Sequence, residues 1–173
     1  MASFRPTLQE YRSVGDPLLA CDYYLMIPNI PGSQDPRAIS FKFVSTSLPG
    51  TQIEQVSLEI GARRFNFAGR RKYSGTWTST LIETANASTR RDLINWMNIA
   101  RPYNSNIGTF RNEYAQTAEI RVYDAAQNLA ISSTVLALFP LSIDDVSLEQ
   151  SDSIIQYQVT WSFDSTEELI GGE

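Results

Sequence analysis

The sequence contains no histidine and only one cysteine among its 173 residues. Without histidine there is no Ser-His-Asp or Cys-His nucleophile of the usual construction, no HExxH zinc site and no imidazole general base. A single cysteine, Cys21, excludes an intrachain disulfide and a cysteine-cluster metal site. Its neighbours Ala20, Tyr23 and Leu25 suggest a half-buried strand, and the thiol reads as buried and inert. Lysine is scarce, Lys42 and Lys72 being the only two. No apolar run approaches the ~20 residues of a membrane-spanning helix. The opening stretch MASFRPTLQEYRSVGD has no apolar centre of the kind a signal peptide carries. These absences lead to the expectation of a soluble protein made in a reducing cytoplasm. No glycine loop of the P-loop or dinucleotide-binding type is present. Asp144 and Asp145 would point to opposite faces of a strand, so they read as a solvated turn rather than an acid–base pair. Asn86-Ala87-Ser88 matches a glycosylation triplet, but nothing suggests secretion. The chain is expected to be no enzyme and to need no cofactor or metal.

What is present is an ordinary globular composition, 42% hydrophobic and 19% charged, in a length that fits one domain. The net charge of −5 is unevenly spread. All fourteen basic residues lie at or before Arg121, against ten acidic ones; beyond it there are nine acidic residues and no basic one. Two halves of opposite sign would favour self-association if the fold keeps them apart, and would cancel if the fold interleaves them. The cluster Arg63, Arg64, Arg70, Arg71 and Lys72 admits three readings: a nucleic-acid grip, a solvated turn and a protein–protein contact. An acidic chain gives the first little supporting field.

Period-two alternation dominates. Residues 21–28, 39–47, 51–61, 76–84 and 117–125, together with the run to Phe139, read as strands. In 51–61, Val56, Leu58 and Ile60 alternate with Gln55, Ser57 and Glu59. In 153–164, Ile155, Tyr157, Val159, Trp161 and Phe163 alternate with Gln156, Gln158, Thr160 and Ser162. Asp124 to Asn128 is placed as a hairpin turn, and Pro140 is expected to break the strand it follows. One helix is signalled, with Thr89 as its cap, a stripe of Leu93, Trp96, Met97 and Ala100, and Pro102 as its stop. Residues 29–37 and 101–116 read as loops. The expected organisation is an N-terminal arm over 1–20, a β domain over 21–165 and a polar, mobile C-terminal tail over 166–173. The fold class is mainly β, an antiparallel sandwich or barrel with one flanking α-helix.

In order along the chain, a strand closes on "SLPG" at 47–50 and another follows, leading into "RRFNFAG" at 63–69. Next come a Trp-bearing strand "GTWTSTLIE" and a helix with an internal Trp, "RRDLINWMNIA". The run "LFPLSIDDVSLEQSDSIIQYQVTWSFD" ends the series. Over roughly Asp22 to Asp164 this order and spacing resembles the tail tube proteins of contractile-tailed bacteriophages, which share their fold with type VI secretion tubes. The resemblance implies a structural virion protein without enzymatic activity. It implies homohexameric rings stacked into a tube inside a contractile sheath, with strands of six neighbours joined into one barrel. The implied partners are the tail sheath, baseplate and tail terminator proteins, with the tape-measure protein and then DNA passing through the lumen without stable nucleic-acid binding. The implied location is the virion tail, assembled in the host bacterial cytoplasm. On this reading Gln55, Ser57, Glu59, Gln156, Gln158, Thr160 and Ser162 face the lumen, because pleat alternation turns them away from a buried face. Arg63, Arg64, Arg70, Arg71 and Lys72, on a turn, would meet the next ring, with Glu167 and Glu168, or the acidic loop at 144–152, as acidic counterparts. Leu48-Pro49-Gly50 would bend the chain between two lumen-lining strands. A tube-initiating baseplate ring protein and a secretion-system tube are the alternatives.

Overall fold

A computed structural model describes residues 18–35, 37–105, 107–146, 148 and 153–170. Most of the expected arm over 1–20 lies outside these residues. The strands are β1 Tyr23–Met26, β2 Phe43–Thr46, β3 Thr51–Ile60, β4 Arg63–Tyr73, β5 Thr76–Ile82, β6 Gln116–Tyr123, β7 Leu129–Ile143, β8 Gln156–Ser162 and β9 Ser165–Ile170. Helix α1 spans Ser88–Ala100, and the one-turn helix α2, Arg111–Tyr114, lies within the stretch expected as a loop. All strand pairs are antiparallel.

The main sheet runs β1-β6-β7-β8-β5-β2, with β9 also on β7. Its two end strands meet: the Tyr23 hydroxyl donates to the Val44 carbonyl at 2.9 Å, so the sheet curls round its own core. Burial raises the pKa of that hydroxyl. Along β8 the alternation is realised, with Tyr157, Val159 and Trp161 buried; Trp77 and Leu81 of β5 are buried directly opposite Trp161 and Tyr157. Helix α1 closes this side with Leu93 and Trp96, both fully buried. Trp96 lies 5.7 Å from Trp161, and Trp77 stacks on Trp161 at 6.1 Å between ring centroids. Each indole N–H has an acceptor, as buried indoles require. Trp77 donates to the Ser47 carbonyl at 2.7 Å, Trp96 to the Tyr114 carbonyl at 2.6 Å and Trp161 to the Ser79 hydroxyl at 2.7 Å.

The helix starts differently from the expectation. Thr89 lies inside the first turn, and its hydroxyl donates to the Ile82 carbonyl. The free N–H groups of that turn are met by Glu83, whose carboxylate accepts from the backbone of Thr84, Thr89 and Arg90 at 2.8 to 3.0 Å. Burial pushes the Glu83 carboxyl up, but these three backbone donors outweigh it and its pKa is lowered. A depressed carboxyl contributes stability that is present above its unfolded-state pKa and is lost as pH falls through the folded value. Glu83→Gln should therefore cost about 1 kcal/mol at pH 7, a difference that shrinks as pH falls through the carboxyl's folded pKa. Urea unfolding at pH 7 and at a series of acidic pH values measures it; an equal loss throughout would show that the charge plays no part.

Other local expectations are corrected. Residues 39–47 begin with a 3-10 turn, Ala38–Phe41, because Ile39 is buried and the Ser40 hydroxyl accepts the Ile27 N–H at 3.0 Å. Cys21 is exposed, since it sits in the turn before β1 rather than on it. Pro140 does not break β7. The strand leaves β6 at Leu138 and continues beside β8 from Phe139, with Ala137 at φ 58° and a register shift between Pro140 and Ser142. A proline is tolerated at such an irregularity because the ladder there is already interrupted. The end of the chain is not a loose tail as far as Ile170: β9 pairs with β7 from Ser165 to Ile170 and buries Thr166. The Asp124–Asn128 turn forms as expected, the Asp124 carboxylate accepting from the backbone N–H groups of Ala126 and Asn128 at 2.9 and 2.8 Å. In the 29–37 loop, Gly32 holds φ +77°, a left-handed conformation that favours glycine, and a Cβ there would lie 2.9 Å from the terminal methyl of Ile99 of α1.

Candidate assembly surfaces

β2 runs into β3 and β4 into β5, so the two hydrogen-bonded pairs form one long hairpin interrupted at 47–50 and at Ser74-Gly75. Beyond Leu48-Pro49-Gly50 the hairpin leaves the main sheet as a separate two-stranded ribbon. That is where the Pro-Gly bend acts: it turns the chain from a sheet into a projection, not between two strands of one sheet. At ~3.3 Å per residue, ten-residue β3 reaches roughly 33 Å.

Every residue of β3 is exposed, as is almost all of β4. Val56 pairs with Phe67 and Leu58 with Phe65, with Ile60 beside Arg63 at the tip. Paired residues share a face, so one side of the ribbon is an apolar surface. The alternation of Val56, Leu58 and Ile60 is as expected, but among the described residues the apolar side meets no core. Phe67 retains 55% of its surface and Leu58 49%. The opposite side carries Gln55, Ser57 and Glu59 with Arg64 and Asn66. Ser57 donates to Asn66 at 3.2 Å and accepts from Arg64 at 2.9 Å.

The basic residues expected on a turn are strand residues. The turn itself is Gly61-Ala62, with Gly61 at φ +61°. "RRFNFAG" is strand, and its glycine belongs to a bulge where Glu54 of β3 faces Gly69 and Arg70 of β4. A Cβ at Gly69 would lie 2.8 Å from the Glu54 carbonyl. The cluster is thereby split. Arg63 and Arg64 sit at the tip, Arg70, Arg71 and Lys72 near the base, seven residues or ~23 Å apart. Lys72 pairs with Glu54 at 2.8 Å. Glu167 and Glu168 are exposed on β9, opposite Thr134 and Ser133. No ion pair joins them to the ribbon among the described residues.

The second polar surface is the outer face of the main sheet. Gln156 and Gln158 are exposed there, and Thr160 and Ser162 half-buried. Three residues not singled out by sequence join them: Thr76, Thr78 and Thr80 of β5, directly opposite Ser162, Thr160 and Gln158. Ser142 of β7 lies opposite Thr160, and Ser45 of β2 opposite Thr80. The alternating threonines of "TWTSTLI" carried this signal, masked because Ser79 is the buried residue between them. Over β5 and β8 the polar residues of this face are uncharged, hydroxyl and amide, with Ile82 opposite Gln156 and Phe139 opposite Ser162; the charged pair Glu119–Arg121 lies further along the sheet, on β6. Glu59 and its neighbours are not part of it; the structure puts the two expected lumen sets on different sheets. Among the described residues no cluster of His, Cys, Asp or Glu with metal-binding geometry occurs.

A family model described as phage tail tube protein matches residues 19–167. The tail tube protein gp19 of Enterobacteria phage T4 is 25% identical over 129 residues, 72% of this chain and 78% of that protein. Among solved structures, the sheath/tube terminator of an extracellular contractile injection system superposes with a TM-score of 0.67 at 17% identity, over 90% of this chain and 99% of that one. A chain of the sheath–tube complex of such a system gives a TM-score of 0.63 at 16% identity, over 96% and 100%. These last two likenesses are of fold.

Proposed function

The chain belongs to the phage tail tube protein family, and from that premise we propose that it forms stacked hexameric rings, the inner tube of a contractile tail through which the genome leaves. The observation that carries this reading is the ribbon. An isolated two-stranded hairpin is marginal in water, and among the described residues this one leaves Val56, Leu58, Ile60, Phe65 and Phe67 exposed. Such a surface calls for a partner, and in a stack of copies the partner is the adjoining ring. Arg63, at the tip, and Arg70 and Arg71, at the base, then flank the apolar strip and meet carboxylates of the neighbour, with Glu167 and Glu168 on an open strand edge as their counterparts.

The uncharged face of Thr76, Thr78, Thr80, Gln158 and Thr160 lines the channel. A basic wall would hold phosphates through counterion release and slow transit; a hydroxyl and amide wall offers no such site. The ribbon's polar side, with Gln55, Ser57 and Glu59, continues that wall between rings; Arg64 on the same side is opposite Glu59 and donates to Ser57. The tail sheath lies outside, and the baseplate and terminator cap the ends.

Negative-stain electron micrographs of the purified protein at raised concentration test the class. Hollow filaments or six-fold rings are expected, with a template such as the baseplate added if the protein stays monomeric. Failure to assemble with either would defeat the reading. The lining is tested in the assembled tail. Thr160→Lys adds six cations to every hexameric ring. Tails of normal length that release DNA at least about tenfold more slowly are expected, with release followed by dye fluorescence. Release at the unaltered rate would remove this face from the lumen.

A further inference from the structure

Apolar residues from four separate stretches of the chain meet beside the root of the ribbon. Leu18 and Leu19, before β1, Leu48, in the bend, Ile120 and Val122 of β6 and Ile131 of β7 line an open groove of about 310 Å³. The three leucines keep between 41% and 52% of their surface. Ile170 of β9, directly opposite Ile131, extends the same face and is exposed. A contiguous apolar patch of this kind marks a docking surface. The chain's own ribbon leaves from Leu48, and its apolar residues stay exposed among the described residues, so it does not fill this groove.

Carboxylates stand at both ends of the groove. Tyr23 belongs to its wall and to that of an adjoining recess, which holds Cys21, Asp22 and Asp124. At the other end Glu168 is exposed opposite Ser133, two residues along β7 from Ile131 and so on the same face. None of these three carboxylates makes an ion pair among the described residues. Asp124 is level with Asn128, whose carbonyl accepts its N–H, so the two ends are five residues or ~17 Å apart along β7. The ribbon repeats this layout with the sign reversed. Arg63 is paired with Ile60 and therefore shares the apolar face at the tip. Val56, Leu58, Phe65 and Phe67 follow it, and Arg70 and Arg71 are exposed at the base. Arg63 and Arg70 are ~23 Å apart, and flexible arginine side chains span the difference.

We propose that this groove receives the ribbon of a second copy of the chain. The apolar strip covers Leu48 and Ile131, and the ribbon's arginines meet Asp22 and Asp124 at one end and Glu168 at the other. Charge complementarity selects the occupant: an apolar middle between two negative ends fits an apolar middle between two positive ends. Groove and ribbon are different surfaces of one chain, so the contact is heterologous. It does not stop at a dimer, and it leaves a free groove at one end of any growing assembly and a free ribbon at the other. The inference rests on the ribbon being a contact between copies, and adds the surface that takes it.

The test mixes two variants that cannot polymerise alone. Leu58→Glu/Phe67→Glu spoils the ribbon and keeps the groove. Leu48→Glu/Ile170→Glu, at two exposed positions, spoils the groove and keeps the ribbon. Each should sediment as a monomer, and the mixture as a one-to-one complex that grows no further. Adding Asp22→Lys/Glu168→Lys to the groove-bearing partner should weaken that complex at least about tenfold. A second measurement leaves the groove untouched. Cys21 is exposed beside Asp22 and is the chain's only cysteine. In otherwise wild-type assemblies, Arg63→Cys or Arg70→Cys should be joined to it across copies by a short thiol-reactive cross-linker. Which of the two reacts gives the direction in which the ribbon lies, and Cys21→Ser should abolish the product. Folded variants that do not pair, a groove variant that still associates with itself, or no cross-link from either position would overturn the proposal. Variants that pair while wild-type protein makes no tubes, with or without a template, would instead defeat the tube reading and leave the groove assignment standing.

Discussion

Leu58→Glu together with Phe67→Glu is expected to give a folded, soluble monomer that no longer polymerises. Both side chains are about half exposed in the single chain and lie on the ribbon's apolar face, so their loss should shift monomer stability by no more than roughly 0.5 kcal/mol each. In the stack the same face is covered. Covering such a side chain contributes up to about 1.5–3 kcal/mol, and placing an unpaired carboxylate there instead costs several kcal/mol. Six copies in each ring repeat that penalty. Thermal unfolding should show a melting temperature within a few degrees of wild type, sedimentation velocity a monomer, and electron micrographs no filaments. Filaments of normal appearance would place this face outside the interface. A monomer destabilised by more than about 2 kcal/mol would mean that the ribbon belongs to the chain's own core.

Trp161→Ala should do the opposite, failing in the monomer before assembly can begin. Trp161 is fully buried and touches Phe43, Trp77 and Trp96 at centroid distances of 6.3, 6.1 and 5.7 Å. It also supplies the hydrogen-bond donor to the buried Ser79 hydroxyl. Truncation of a buried tryptophan costs about 3–5 kcal/mol through lost contacts and the cavity left behind. Against a total stability of about 5–15 kcal/mol this is a large share. At ~2–4 °C per kcal/mol for a domain of this size, the melting temperature should fall by roughly 6–20 °C. Equilibrium unfolding in urea measures it; a loss under about 1.5 kcal/mol would show that α1 and the loops repack over the gap, and that the aromatic cluster does not anchor the helix to the sheet.

These two outcomes concern residues that look alike in sequence. Val56, Leu58 and Ile60 alternate with polar residues as cleanly as Tyr157, Val159 and Trp161 do. Period-two patterning located both strands and sorted both sets of faces correctly, because alternation is a property of the pleat and needs no distant partner. The helix position was legible for a similar reason, from its apolar stripe and Pro102. Its cap was not: Thr89 has the right chemistry and spacing, but Glu83, from the end of β5, reaches the free N–H groups first. The five cations read as one cluster because they are close in sequence. An extended strand separates them to the two ends of the ribbon.

The sequence by itself determined an antiparallel β chain with one amphipathic helix, a hairpin at Asp124–Asn128, a Pro-Gly bend at 48–50 and no histidine-based chemistry. Its ordered motifs also pointed to a family. Tertiary structure alone decided which apolar face is core and which is surface. Trp161 is buried because Trp96, 65 positions away in the chain, is brought onto it by α1; Leu58 is exposed because no element among the described residues returns to cover the ribbon. Burial depends on what arrives from elsewhere in the chain, or from another copy, and a strand's own alternation carries no record of that arrival.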